Sequence, residues 1–114
     1  MFEQNPDVIK LVAGYLCENE NFGVCLDWAH ATLSGVSPAI WAEELKCYIK
    51  HIHINDNDLV SDSHLSWGDG KIDRNTFYDC YNKYLSSATI LIETSGTDKQ
   101  RKSLIQLEKD NFIN

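Results

Sequence analysis

The sequence predicts an α/β protein whose parallel strands are joined by helical crossovers. Helical and strand patterns alternate along the 114 residues in the order α-β-α-β-α-β-α, without an internal repeat or a linker, and this order is typical of a parallel sheet. Three strand-like apolar runs also close with a carboxylate or an imidazole, around residues 27, 53 and 93. Parallel α/β proteins gather their ligands at the carboxyl ends of strands, so both observations indicate the same fold class.

The first half of the chain is predicted to hold two helices and two strands. Asn5 can cap a helix that has Pro6 at its first position, and apolar residues then recur at helical spacing. Residues 23–27 form a short buried strand. Ser37, followed by a proline, opens a second helix, and residues 48–55 form the second strand.

The second half repeats this alternation. Asp73 caps a helix with apolar and aromatic residues on one face, residues 88–93 form the third strand, and residues 98–112 form a closing helix. The prediction is therefore three strands and four helices. A complete (β/α)8 barrel takes about 250 residues, so the chain is expected to be part of one. Three parallel strands leave two edges and one face uncovered, and a complementing half-barrel or a second copy of the chain is expected to cover them.

Composition and charge narrow the class of protein. Hydrophobic residues make up 43% and charged residues 24% of the chain, which is ordinary for a soluble globular domain. No apolar run approaches the roughly 18 to 20 residues of a membrane span, and the start of the chain lacks the features of a signal peptide. We therefore expect a cytoplasmic protein with no membrane contact. The net charge of −7 disfavours nucleic acid as a partner, because proteins that bind the phosphate backbone are basic.

The cysteines lie apart in the sequence. Cys17, Cys25, Cys47 and Cys80 form no C-x-x-C pair. Disulfide or zinc use is open, but reduced thiols buried in the core are the expectation.

Four stretches together resemble one known family. They are VCLDWAH at residues 24–30, KHIHINDN at 50–57, DSHLSWGDGKID at 62–73 and ILIE at 90–93. In order and spacing they resemble the carboxyl-terminal part of the xylose-isomerase-like TIM-barrel superfamily, over residues 2–110. That superfamily includes sugar phosphate isomerases and epimerases, and also the type IV apurinic endonucleases.

The resemblance implies a barrel that is only partly present. The three strands resemble the sixth, seventh and eighth of the family barrel, so residues 1–114 are expected to form a single partial TIM-barrel domain without its amino-terminal half. In the family a metal-binding glutamate ends the fifth strand, and residues 1–6 resemble the stretch directly after it. Met1 is therefore expected to be an internal start, a truncated gene model or the boundary of a split gene.

Asp27, His53 and Glu93 are the candidate metal ligands, and Glu93 is also the candidate catalytic residue. Each ends a predicted strand, and two carboxylates with one imidazole suit Mn²⁺, Mg²⁺, Co²⁺ or Zn²⁺. The alternatives are that Asp27 only caps the next helix and that His53 is a hydrogen-bonded core residue. His51 points to the same face but lies one strand repeat deeper, so we interpret it as a packing residue or as support for a ligand.

His30, Asp62 and His64 form a second candidate set. In the type IV endonucleases the matching positions help to hold additional zinc ions, whereas in single-metal isomerases the match of His30 contacts a substrate oxygen. The resemblance therefore implies either further metal ligands or residues that support them, with His30 as a substrate-binding residue. The alternative for residues 62–64 is a solvated loop.

The predicted function is that of a fragment of a divalent-metal-dependent sugar or sugar phosphate isomerase or epimerase. The resemblance implies proton transfer through an enediolate, with Glu93 as ligand and as one of two proton-transfer carboxylates. One alternative is a metal-dependent hydrolase like the apurinic endonucleases. Another is a non-catalytic half-barrel that acts only with a partner chain. The chain alone is expected to be inactive.

Overall fold

A computed structural model describes residues 6–114, and its elements follow the predicted alternation. Asn5, the predicted cap of the first helix, lies outside the described residues. A π-helical turn, Tyr81–Leu85, extends the fourth helix. The helices and strands are α1 Pro6–Leu16, β1 Val24–Asp27, α2 Trp28–Leu33, α3 Pro38–Leu45, β2 Ile49–Ile54, α4 Arg74–Cys80, β3 Thr89–Ile92 and α5 Thr97–Lys109.

The predicted parallel α/β fold is confirmed. The strands form one sheet in the order β1-β2-β3, and both neighbouring pairs are parallel. Two of the predicted helix caps are also present, because the Ser37 side chain accepts from the Ala39 amide and the Asp73 side chain from the Asn75 amide. The predicted strands each extend one residue too far at one or both ends.

Helix α2 adds a fifth helix to the four predicted. It has only six residues and begins directly after β1. A helix this short spans fewer than two turns, so it leaves no apolar periodicity for the sequence to show. Its position matters for the site, because it carries His30.

The two faces of the sheet differ sharply. Side chains alternate between faces along a strand, and Leu26 and Ile52 point to the face that the helices cover. Trp28, Trp67 and Phe77 fill the core on this side. The opposite face is open: there the exposed residues include Cys25, Thr89 and Leu91, and Leu91 is 47% exposed. Among the described residues, β1 and β3 each pair on one side only.

The prediction of core thiols is wrong for three of the four cysteines. All four are free, and Cys80 is buried. Cys17 and Cys47 are exposed in the turns that follow α1 and α3, and Cys25 is exposed on the open sheet face. The hydrophobicity of a thiol does not by itself place it in the core, because the alternation along β1 decides which side Cys25 faces.

Charged and polar side chains join α4 to the end of α5. Arg74 Nε donates to Asp110 Oδ2 at 2.6 Å, and the hydroxyl of Tyr78 donates to the same oxygen at 2.5 Å. Gln106 Nε2 donates to Asp110 Oδ1 at 2.9 Å. The buried Trp67 donates its Nε1 proton to the Tyr78 hydroxyl at 2.9 Å. We call Arg74, Tyr78, Gln106 and Asp110 the helix lock.

Candidate metal centre

Three strand ends bring the first candidate ligands together. Asp27 is the last residue of β1, His53 lies opposite it in β2, and Glu93 directly follows β3. His53 Nδ1 lies 2.6 Å from Glu93 Oε2. Each residue offers one ligand atom, and these atoms all lie within 4.8 Å of one another. We call these three residues the strand-end group.

A second group stands beside it. His30 Nε2 lies 2.8 Å from Asp62 Oδ2, and His64 Nε2 lies 3.2 Å from Asp62 Oδ1. The ligand atoms of these residues again lie within 4.8 Å of one another. His30 comes from α2, and the other two residues come from the long connection between β2 and α4. We call these three residues the loop group.

The two groups touch. Asp27 Oδ2 lies 3.2 Å from His30 Nδ1, and Glu93 Oε1 lies 3.9 Å from His64 Nδ1. Within residues 6–114, every ion pair of the three carboxylates is with a histidine. Three carboxylates thus meet three imidazoles with no lysine or arginine paired to them. Such a donor set fits divalent cations, which carboxylate oxygens and imidazole nitrogens bind.

Asp27 combines a structural role with its place in the site. Its Oδ1 accepts a hydrogen bond from the His30 amide at 3.0 Å, which caps α2. Its Oδ2 remains directed at the imidazole of the same histidine. The two predicted interpretations of Asp27, as a helix cap and as a member of a ligand group, are therefore compatible.

Asp56 holds the connection that carries the loop group. Its carboxylate is fully buried and accepts hydrogen bonds from the backbone amides of Asn57, Gly68 and Ile72. Its backbone pairs with that of Leu65 in an antiparallel bridge. Three hydrogen bonds to one carboxylate hold the connection that carries Asp62 and His64, although residues 61–63 themselves are exposed to solvent.

The backbone at His64 adopts an unusual conformation. Its φ of 49° lies in the left-handed region, which costs a non-glycine residue about 1 to 2 kcal/mol. The imidazole of this residue lies beside the carboxylates of Asp62 and Glu93. Strain of this kind clusters at functional sites, where neighbouring contacts enforce it.

Two side chains of the loop group, His30 and Asp62, have shifted pKa values. The hydrogen bond to Asp62 raises the pKa of His30, burial opposes this, and the charges of Asp27 and Glu93 add to it. Partial burial alone would raise the pKa of the Asp62 carboxyl, but the hydrogen bond and charge of His30, with help from His64, hold it below its ordinary value. These shifts favour positive charge beside Asp62, either as a proton on His30 or as a cation.

His51 stays outside both groups. It lies opposite Cys25 and Thr89 in the sheet, and its Nδ1 is 2.6 Å from Thr89 Oγ1. Its ring meets that of His53 edge to face, with centroids 4.9 Å apart. This agrees with the interpretation of His51 as a packing residue or as support for a ligand.

Asn55 is a site residue that the sequence analysis missed. It follows β2 directly, is fully buried, and places its amide nitrogen 3.5 Å from His64 Nδ1. A signal was available, because Asn55 lies two positions after His53 and so continues the same face of the strand. Only its contact with His64, nine residues away, shows that it belongs to the site.

Comparison with known proteins identifies the family. The family model described as xylose isomerase-like TIM barrel matches residues 3–108. The chain belongs to this family. Apurinic-apyrimidinic endonuclease 1 of Plasmodium berghei (strain Anka) is 32% identical over 109 residues, which cover 82% of this chain and 21% of that protein. The chain thus spans about a fifth of that curated relative.

A solved structure shows the same fold. A D-tagatose 3-epimerase-like protein superimposes with a TM-score of 0.73 at 24% identity, covering 93% of this chain and 40% of that chain. The strands and helices described above therefore correspond to part of a xylose isomerase-like TIM barrel. Within the described part of the chain, no helix has the length and apolar character needed to cross a membrane.

Proposed function

We propose that the chain supplies part of the active site of a divalent-metal-dependent sugar or sugar phosphate isomerase or epimerase. The strand-end group carries this proposal, because three adjacent strands direct two carboxylates and one imidazole to one place, with ligand atoms within 4.8 Å of one another. Asp27, His53 and Glu93 would hold Mn²⁺, Mg²⁺, Co²⁺ or Zn²⁺. A bound ion supplies Lewis acidity that polarises a substrate carbonyl.

Glu93 has a second role in this proposal. One carboxylate oxygen takes the proton from the carbon next to the substrate carbonyl, and the electron pair of the broken C–H bond forms the enediolate. A second carboxylate, from outside the described residues, returns a proton to carbon to complete the isomerisation or epimerisation. His30 holds a substrate oxygen, and its half-exposed side chain beside Asp62 is accessible for that contact.

The substrate class rests on the family and on charge. The structural neighbour is titled as a D-tagatose 3-epimerase-like protein, and the net charge of −7 favours a small sugar over a nucleic acid. A sugar phosphate substrate would need basic residues around the phosphate. Those residues would have to come from outside the site described above, since its ion pairs are with histidines.

A metal-dependent hydrolase like the apurinic endonucleases is the second candidate. The loop group favours it, because His30, Asp62 and His64 form a separate set of ligand atoms in contact with the strand-end group. The curated relative also bears that activity in its name. The acidity of the chain opposes this candidate.

The third candidate is a half-barrel that acts only with a partner chain, as a subunit or as a non-catalytic remnant. Its support is the open sheet face and the unpaired edges of β1 and β3. Helix α1 also exposes a row of large apolar side chains: Val8, Leu11, Val12, Tyr15 and Leu16. The covering element would be a complementing half-barrel or a second copy of the chain.

Hydrogen exchange distinguishes these candidates. The chain is incubated in D2O with Mn²⁺ and a ketose, and NMR follows the proton on the carbon next to the carbonyl. We expect no exchange with the chain alone, because a half-open site cannot exclude water from an enediolate. Exchange should begin when a segment completing the barrel is supplied, in the same chain or separately.

Two variants show whether this exchange depends on the proposed base. Glu93→Gln should abolish it, whereas Asp69→Asn, which removes a carboxylate paired with Lys102, should not. Exchange that survives Glu93→Gln would refute the proposed role of Glu93. Cleavage of abasic DNA without any sugar exchange would favour the hydrolase.

A further inference from the structure

One buried atom in the site has no hydrogen-bond partner among the described residues. It is Oδ1 of Asn55, whose side chain is fully buried at the end of β2. A buried carbonyl oxygen without a partner costs free energy, and native proteins rarely keep one without a reason. The amide nitrogen of the same side chain lies 3.5 Å from His64 Nδ1.

The surroundings of His64 show which proton arrangement this amide supports. If Asn55 donates to Nδ1, that nitrogen carries no proton, and the proton lies on Nε2, facing Asp62 Oδ1 at 3.2 Å. The backbone oxygen of Glu93 lies 3.4 Å from the same Nδ1 atom. In this arrangement two lone pairs face each other, and Asn55 Oδ1 stays unpaired.

A half-turn of the Asn55 amide reverses the arrangement. The turn exchanges the amide nitrogen and oxygen and leaves the other atoms in place, so the NH2 group then occupies the position at which the oxygen has no partner among the described residues. If the His64 proton then lies on Nδ1, it faces two acceptors, Asn55 Oδ1 and the Glu93 backbone oxygen. Nε2 is left with a free lone pair toward Asp62, and a lone pair beside a carboxylate is favourable only when a cation lies with them.

We propose that Asn55 is a positioning residue that selects the metal-binding tautomer of His64. Its amide turns when a divalent cation joins His30, Asp62 and His64, and its oxygen then accepts the Nδ1 proton. Partners of this kind orient metal-ligating histidines and keep the other nitrogen free for the metal. The inference rests on the loop group as a cation site, as in the second candidate function, and it concerns a residue outside both ligand groups.

NMR of the full chain labelled with [15N]histidine tests the proposal, using Zn²⁺ as the probe. The chain has four histidines, so His53 reports on the strand-end group while His30 and His64 report on the loop group. We expect the Zn²⁺-loaded His64 to carry its proton on Nδ1. A proton on Nε2 of that histidine in the loaded protein would overturn the proposal.

The Zn²⁺ affinity of Asn55 variants is the second test of the proposal. Asn55→Leu should weaken Zn²⁺ binding at the loop group by about 10- to 100-fold, the usual effect of losing such a partner, and should leave binding at His53 unchanged. Asn55→Asp keeps an acceptor and has no amide donor, so it should retain the affinity and the Nδ1 tautomer. It also tests the proposal if Asn55→Leu does not fold, because a weakened loop group in Asn55→Asp would overturn it.

Thr94→Val is the matched control. Thr94 Oγ1 is the other buried side-chain atom without a partner in the described part of the chain, so its removal tests the general effect of deleting such an atom. Equal losses of affinity in Thr94→Val and Asn55→Leu would overturn the proposal. If Zn²⁺ shifts His53 but not His30 and His64, this inference fails while the proposed function stands. The reverse pattern would refute the proposed function alone.

Discussion

The helix lock and the metal centre are both built around carboxylates, yet their charges are balanced in opposite ways. Asp110 in the lock accepts hydrogen bonds from a guanidinium, a phenol and an amide, and Arg74 balances its charge. Within the described residues, the ion pairs of the carboxylates in the candidate metal centre are all with imidazoles. The charge of Asp110 is therefore balanced within the helix lock, whereas no lysine or arginine among the described residues pairs with the carboxylates of the candidate metal centre.

The acidities show the same contrast. The hydrogen bond from Arg74 lowers the pKa of Asp110 to about 2, against the opposing effect of burial. Burial, with the hydrogen bond to Asp110, raises the pKa of Tyr78 to about 12. In the loop group the raised pKa belongs to His30, a group that binds either a proton or a metal ion near neutral pH. The helix lock is therefore expected to stabilise the fold, and the candidate metal centre is expected to bind a cation.

The largest expected effect is on metal binding. Glu93→Gln removes one ligand charge from the strand-end group and should weaken Mn²⁺ binding by at least about 100-fold, the upper range for losing even an indirect partner of a metal site. Isothermal titration calorimetry measures the affinity. Asp110→Asn, which removes the lock carboxylate, should leave it unchanged. If Glu93→Gln binds Mn²⁺ with unaltered affinity, the metal does not bind at the strand-end group.

A substitution in the helix lock should lower stability and leave metal binding unchanged. Asp110→Asn replaces a charged acceptor shared by Arg74, Tyr78 and Gln106, and we expect the free energy of unfolding to fall by about 2 kcal/mol. Urea denaturation without metal measures this loss. In the same assay Glu93→Gln should lose much less, because its carboxylate meets only imidazoles. Equal losses of stability in Asp110→Asn and Glu93→Gln would contradict the difference between the helix lock and the candidate metal centre.

Acid should remove the stabilisation that the helix lock gives to the fold. The pKa of Asp110 is about 2 in the folded chain against an ordinary value of 3.8, so the folded state binds its proton less readily than the unfolded state. The stabilisation is present above about pH 4 and is lost as the pH falls toward about 2, by about 2 kcal/mol in all. Stability measured between pH 5 and pH 2 should show this loss in the wild type and a smaller one in Asp110→Asn.

The smallest expected loss of stability follows from replacing Tyr78 in the helix lock. Tyr78→Phe removes the acceptor of the buried Trp67 Nε1 proton and one donor to Asp110, which should cost about 1 to 2 kcal/mol. Alkaline spectrophotometric titration gives a second check. One of the five tyrosines should titrate near pH 12 in the wild type, and that late step should vanish in Tyr78→Phe.

Local patterns account for the parts of the structure that the sequence analysis predicted. Strand-like apolar runs predicted three strands, and cap residues such as Ser37 and Asp73 predicted two helix starts. The ends of those runs marked Asp27, His53 and Glu93 as candidate ligands. The family resemblance added the loop group, which no local pattern distinguishes from a solvated loop. The sequence analysis missed the short helix α2 and the exposure of three cysteines. Neither feature produces a periodic pattern of apolar residues in the sequence.

The sequence by itself determined the order of elements, their parallel arrangement and the strand ends that carry the chemistry, because these depend on residues close together in the chain. Only the tertiary structure decided which groups are satisfied. The Arg74–Asp110 pair joins residues 36 positions apart, and Asn55 meets His64 next to the backbone bridge between Asp56 and Leu65. Whether a polar group finds a partner depends on packing in three dimensions, and this packing decides which carboxylates pair with a guanidinium and which pair only with imidazoles.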